Sequence, residues 1–292
     1  MTLRGGGSDR AVIVRVSGPT ATVCSQGELL EARLAPKLPG RPVVAGDRVT
    51  LRVDGDDRTV VGVAPRRTRL ERGDGWERRP RMMAANADLL VVTASVVDPP
   101  LRPRLLDRYL VAAEVGGLEA AVAVTKTDLG HDADELGELA ERYRGIGYPV
   151  LCGSAHSPEF VERIRALIAG RVAVLAGHSG VGKSTLTAAL TGMERATGAV
   201  SDIGKGRHTT TDPRLIRMPG GGAIVDTAGV RTFHLPRMDR ATLESGFPEI
   251  AAASTGCRFR GCAHDGDAGC AVAGHVHPAR LESYLRLLHD LR

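Results

Sequence analysis

The sequence predicts a multidomain protein: an all-β barrel, a central α/β domain and a mostly helical C-terminal domain built around a metal site. Three observations carry this. Short alternating runs between turns fill residues 1–66, longer apolar runs separated by helical stretches fill 84–237, and a Cys/His cluster beside a closing amphipathic helix occupies 238–292. A chain of 292 residues, 42% hydrophobic and 25% charged, is long enough for two or three compact units and too apolar to be disordered.

In the first block the runs AVIVRVS, TATVCSQ, LLEARLA, RVTLRVD and TVVGVAP are broken at Gly18-Pro19, Gln26-Gly27, Pro39-Gly40, Gly46-Asp47 and Asp54-Gly55. Period-two patterning with β-branched residues and regular turns reads as five strands, which fits an OB-like or SH3-like barrel; five is the OB-fold count. The aromatic residues on which nucleic-acid bases commonly stack are missing from it. Residues 67–83 read as a linker. The stretch Arg66–Arg81 carries seven arginines, and Gly73 and Gly75 loosen it. Its guanidinium groups can neutralise phosphates; a solvated connector is the competing reading.

In the central block DLLVVTAS, AAVAVT, YPVLC and RVAVLAG read as buried parallel strands. Arg102–Val115 places Leu105, Leu106, Tyr109, Leu110 and Ala113 on one helical face and stops at Gly116-Gly117; Pro158–Ala169 behaves similarly. Alternating strands and helices predict a parallel sheet with functional loops at its carboxyl edge. In the last block Leu281, Tyr284, Leu285, Leu288 and Leu291 recur at helical spacing.

The formal net charge is +5 and comes almost wholly from arginine, since Lys37, Lys126, Lys183 and Lys205 are the only lysines. That balance favours a polyanionic partner. No run approaches the roughly 18 apolar residues a membrane helix needs, and Met1–Arg10 has no apolar core. Five cysteines, three of them crowded at Cys257, Cys262 and Cys270, do not make a disulfide framework. A cytoplasmic protein with no membrane partner is expected, and a monomer, because no heptad pattern is present.

Gly177-His178-Ser179-Gly180-Val181-Gly182-Lys183-Ser184-Thr185 follows one strand run and precedes a helical Leu186–Leu190. This is the phosphate-loop pattern. Its glycines turn backbone N–H groups inward around phosphates, Lys183 reaches the terminal ones, and Ser184 can hold Mg²⁺. Thr125-Lys126-Thr127-Asp128 follows AAVAVT. Its aspartate can accept from the N1–H and amino group of guanine, a donor pair adenine lacks, so it selects GTP over ATP, and the Lys126 stem can lie on the base. Ser154-Ala155-His156 follows YPVLC and can offer a backbone N–H to guanine O6. Asp226-Thr227-Ala228-Gly229 follows another strand run. Asp226 can orient the magnesium shell, and Gly229 can present an N–H to the γ-phosphate. Between them Gly204–Thr211 (GKGRHTTT) reads as a switch segment whose Thr210 or Thr211 reaches Mg²⁺.

The order of these motifs is informative. In ordinary GTPases the guanine-specifying motif follows the phosphate loop; here Thr125–Asp128 and Ser154–His156 precede it. Circular permutation of the GTPase sheet explains this with the site left intact. In the last block Cys257, Cys262, His264 and Cys270 supply three thiolates and one imidazole, the ligand set of one closed structural zinc ion. His275 and His277 are nearby alternatives, but the short loop favours His264.

The assembly resembles the ribosome-small-subunit-dependent GTPase A family over nearly its whole length. The resemblance is carried by residues 84–88 (AANAD), GHSGVGKST, GKGRHTTT, the Pro219–Gly222 turn, Val230–Phe233 and CRFRGCAH…GCAV. It implies an N-terminal OB-fold, a circularly permuted GTPase domain and a C-terminal zinc domain. It further implies binding to the small ribosomal subunit and its rRNA during late maturation, with hydrolysis of GTP to GDP stimulated by the subunit. Thr125 stands where the family usually has Asn, and Ala228 where it usually has Pro. Val230 occupies the position of the catalytic glutamine of many GTPases and cannot orient water. His208 is the family-matched residue for that task, with a switch or RNA contact as its other reading; Lys183 and Gly229 complete the expected catalytic set. Two rival readings remain: a permuted GTPase acting on the large ribosomal subunit, and an RNA-binding protein with GTP as a passive ligand.

Overall fold

The computed structural model describes residues 8–38, 42–73, 80–193, 213–227 and 232–291. Strands β1 (Ser8–Ser17), β2 (Thr20–Ser25), β3 (Glu28–Leu34), β4 (Arg48–Asp54) and β5 (Asp57–Val63) form a closed barrel in the order β1-β2-β3-β5-β4. The β3–β5 pair is parallel and the others are antiparallel. This closure is that of an OB-fold. Alternation sends Ile13, Ala21, Val23, Val49, Leu51 and Val60 into its interior.

The span read as a linker contains sheet. Strands β6 (Arg69–Arg72) and β7 (Arg81–Ala85) pair antiparallel. Their arginines obscure a sparse apolar set: Leu70 is fully buried, and with Met83 and Ala84 it joins the core of the central domain. The barrel docks on this hairpin. Gly46 has φ +90°, and a β-carbon there would lie 2.0 Å from the Ala85 carbonyl oxygen, so the approach requires glycine. Asn86 donates to the Gly46 carbonyl (3.0 Å), and buried Asp47 takes a 2.7 Å ion pair from Arg66.

The central sheet is assembled from β8 (Leu89–Ser95), β9 (Glu119–Thr125), β10 (Val150–Cys152), β11 (Val172–Gly177), β12 (Arg214–Arg217) and β13 (Ala223–Asp226), in the order β10-β9-β8-β11-β13-β12. All but the edge strand β12 run parallel. Helices α1 (Pro103–Gly116) and α2 (Ala133–Arg144) pack with Leu90, Val92, Val122 and Val124 on one face. On the other face α3 (Pro158–Ile168) and α4 (Lys183–Thr191) pack with Leu89, Val91, Ala121, Ala173 and Leu175. Successive strand residues thus serve opposite layers, which is why these strands read as unbroken apolar runs. Local signals set the helix ends: the Asp132 carboxylate caps α2, the Ser157 hydroxyl caps α3, and Gly117 in the left-handed region stops α1.

Helices α5 (Arg240–Ser245), α6 (Pro248–Ser254) and α7 (Pro278–Asp290) share a core with Val111 of α1, centred on Leu243, Phe247, Ile250, Tyr284 and Leu287. A buried ionic cluster ties this layer to the central domain. Arg280 donates to Asp107 (2.5 Å) and Glu249 (2.7 Å), and Tyr143 donates to Asp107 (2.8 Å). Burial opposes the guanidinium charge, but Asp107 and Glu249 outweigh it and raise the Arg280 pKa. No described helix is long and apolar enough to cross a membrane.

Removing Arg280 strands Asp107 as a buried, uncompensated charge. Arg280→Leu is therefore expected to cost about 3–5 kcal/mol, and adding Asp107→Leu should recover part of the loss. The measurement is the denaturant midpoint of the single and double variants.

Candidate nucleotide site and metal centre

Because β8, β9, β10, β11 and β13 run parallel, Ser95, Thr125, Cys152, Gly177 and Asp226 all end on one edge. The sequence motifs emerge there. Gly177 closes β11 opposite Thr93, where a β-carbon would meet the Thr93 carbonyl oxygen at 2.0 Å. Residues 178–182 then turn into α4, whose first residue is Lys183. Ser179, Gly180 and Ser184 face solvent, while Val181 is buried beneath the loop.

Lys183 is 6% exposed, and its ammonium donates to the Gly177 (2.8 Å) and His178 (2.7 Å) carbonyls. Burial pushes its pKa down to about 8, opposed by Asp226. Asp226 sits opposite Leu175 on the neighbouring strand; burial raises its carboxyl, and Lys183 pulls it back. A buried cation capped only by carbonyls, with one nearby carboxylate displaced toward neutrality, is a site short of negative charge. The phosphates of a nucleotide fit that deficit.

Thr125 is fully buried, with its hydroxyl 2.6 Å from the Val181 carbonyl of the phosphate loop and 3.0 Å from that of Ala94. The residue that departs from the family's usual Asn thus still braces the loop. Lys126 follows in the left-handed region (φ 61°) and donates its ammonium to the Asp98 carbonyl, from the loop that also borders Gly180. A 3₁₀ turn, Thr127–Leu129, then leaves Asp128 exposed. The neighbouring motif is joined to it: Gly153 donates to Val124 (2.9 Å), and Thr127 donates to Gly153 (3.4 Å). Ser154 and Ala155 are buried, and Ser154 organises its turn by accepting from the His156 amide at 3.2 Å. The structure therefore brings Thr125–Asp128, Ser154–Ala155, Gly177–Thr185 and Asp226 to one sheet edge. His208, Thr210, Thr211 and Gly229 lie outside the described residues.

The second cluster lies beyond α6. One ligand atom each from Cys257, Cys262, His264 and Cys270 lies within 4.8 Å of all the others. Nδ1 of His264 faces the sulfurs of Cys257 (3.7 Å) and Cys270 (3.6 Å). The alternatives fall away: His275 is occupied with the Ala271 carbonyl, and His277 caps α7. Two supporting residues carried no sequence signal. The other nitrogen of His264, Nε2, is 3.5 Å from Glu244 of α5, and Asp267 accepts from the Ala263 amide (2.6 Å) beside the Cys262 sulfur. Glu244 is twenty positions from its histidine, too far for any spacing rule to pair them.

Comparison with known proteins agrees with this geometry. The family model described as RsgA GTPase matches residues 63–236. A protein of Pseudomonas fluorescens Pf-5 named small ribosomal subunit biogenesis GTPase RsgA is 38% identical over 275 residues, covering 91% of this chain and 79% of its own length. The protein of the same name from Azotobacter vinelandii matches equally. Among solved structures, YloQ, described as a circularly permuted GTPase, aligns over 100% of this chain and 97% of its own (TM-score 0.75, 24% identity). YjeQ from Thermotoga maritima aligns over 98% and 99% (TM-score 0.74, 26% identity). With its motifs in permuted order around one sheet edge, the chain belongs to the RsgA GTPase family and is a GTP hydrolase.

Proposed function

We propose that this GTPase binds the small ribosomal subunit and assists its late maturation, hydrolysing GTP to GDP and phosphate when the subunit completes the site. The bond from Thr125 to Val181 supports the GTP site most directly, because it fastens the base-selecting element to a phosphate loop more than fifty residues further along the chain. The relatives' name supplies the partner. Cytoplasmic location and a monomeric state belong to the same reading.

In this reading Asp128 accepts from N1–H and the amino group of guanine, the Ser154-Ala155 turn meets O6, and the Lys126 stem lies along the ring. Lys183 and the amides of residues 178–185 hold the phosphates. They stabilise charge that spreads over the γ-phosphoryl oxygens as water attacks in line. Ser184 and Thr210 or Thr211 would hold Mg²⁺, with Asp226 orienting its shell; the ion when bound neutralises phosphate charge. Gly229 donates its N–H to the γ-phosphate, and His208 orients the water. Phosphate oxygens placed beside Lys183 replace its carbonyl partners and favour its charged form. GTP turnover measured alone, with small subunits and with large subunits tests the reading. A sharp rise with small subunits alone is expected; equal stimulation by large subunits, or none by either, contradicts it.

We further assign one structural zinc ion to Cys257, Cys262, His264 and Cys270. Tetrahedral bonds of about 2.3 Å to sulfur and 2.0 Å to nitrogen would place those atoms about 3.5 Å apart, and the Nδ1–sulfur distances are 3.6 and 3.7 Å. With Nδ1 turned to the metal, Nε2 would carry the proton and face the Glu244 carboxylate at 3.5 Å, a charge that favours this tautomer. Glu244→Gln is expected to weaken zinc binding about 10- to 100-fold, read by competition with a chromogenic chelator. Unchanged affinity removes Glu244 from the centre.

A further inference from the structure

We propose that the loop between Cys257 and Cys262 is a stacking site for an unpaired RNA base, with Phe259 as its platform and Arg258 and Arg260 as its phosphate contacts. The inference takes RNA as the partner from the small-subunit reading and names where a base is held.

Phe259 is 54% exposed, whereas every other Phe and Tyr ring in the chain is buried. The ring does not sit on a loose tip. Its loop begins and ends on Cys257 and Cys262, whose sulfurs would pin it once zinc is bound, the Cys262 amide donates to the Phe259 carbonyl (3.3 Å), and the Arg258 amide donates to Gly269 (3.0 Å). A rigid, solvent-facing ring is preorganised for a flat partner, because little freedom is lost when that partner lands. The Arg258 guanidinium lies 5.3 Å from the ring centroid, so it can back one face of the phenyl group while a base covers the other.

The surrounding charge selects the kind of partner. Arg258 and Arg260 are exposed and form no ion pair among the described residues. The nearby acids are mostly engaged: Glu244 lies between His264 (3.5 Å) and Arg240 (3.9 Å), and Asp267 is held by the Ala263 amide, while Asp265 forms no ion pair among the described residues. Beside the ring a groove runs from Arg260, Gly261 and Thr255 toward Arg240 and, at its inner wall, Glu244 and the Cys/His cluster. Its outer, Arg260 side gives room for a sugar-phosphate, while the Glu244 carboxylate at the inner wall is faced by Arg240 and His264. An apolar protein surface docking on Phe259 would bury two guanidinium groups with no acceptor, which is costly; a single strand supplies a π-face and phosphates together. The barrel has no aromatic residue with which to do this, and among the described residues Phe259 is the one exposed Phe or Tyr ring.

The test is fluorescence anisotropy of the full, zinc-loaded chain with a labelled single-stranded RNA of mixed sequence and with the same sequence as a duplex. Zinc content and basal GTP turnover, matched across variants, certify folding. Phe259→Leu keeps an apolar side chain but removes the π-face; it should weaken single-strand binding about 5- to 150-fold and duplex binding far less. Phe259→Trp should bind at least as well as the unaltered chain. Arg260→Gln should lower the salt dependence by about 0.7 in log–log slope. Single-strand affinity unchanged in Phe259→Leu, or lost equally in Phe259→Trp, overturns the proposal. So does a Phe259→Leu variant that keeps RNA affinity but loses subunit binding, since the ring then docks on protein. Subunit-stimulated turnover of the unaltered chain is read separately: if it persists while Phe259→Leu binds RNA normally, the stacking site falls and the small-subunit reading stands.

Discussion

The polarity of one sheet governs this molecule. Five parallel strands end on the same edge whatever order the chain visits them in, so the loops after β8, β9, β10, β11 and β13 converge. A GTPase can then be permuted without dismantling its site. The Thr125–Val181 bond shows the consequence locally, since a side chain ending β9 braces the loop that leaves β11.

Permutation also fixes what lies beyond the site. The chain leaves β13 at Asp226 and within a few residues reaches Phe233, which packs against Tyr109 of α1 with ring centroids 4.1 Å apart. It then enters the C-terminal helices, with the Cys/His cluster in the segment between α6 and α7. Those helices are fastened back onto α1 by Arg280 and Asp107, and Arg108 of the same helix donates to the Phe233 carbonyl. One helix therefore meets the segment that follows Asp226 and the C-terminal layer. The barrel is held more simply, by Gly46 against β7 and by Asp47 with Arg66.

Much of this was legible in the residues. The phosphate loop, the base-selecting motifs and the metal cluster combine invariant chemistry with short spacing, and the structure brings each set together. The α/β runs were readable because strands buried on both faces need apolar residues at every position. The Arg-rich hairpin was not: Leu70 and Met83 are too few among arginines to show a strand, and only burial against α1 reveals them. The edge strand β12 is four residues long, with Arg at each end, and gives no periodicity to read. Glu244 was invisible because its partner is distant in sequence, and the exposure of Phe259 is a property of the folded loop alone.

The account stands on Asp128 and Lys183 addressing the same nucleotide. The most direct measurement is competitive binding of guanosine and xanthosine triphosphates to the unaltered chain and to Asp128→Asn. An asparagine amide donates where the carboxylate accepts, and xanthine carries an acceptor in place of the guanine amino group. The account predicts a loss of about 10- to 100-fold for GTP and a gain for xanthosine triphosphate. Unchanged preference for GTP in Asp128→Asn contradicts it.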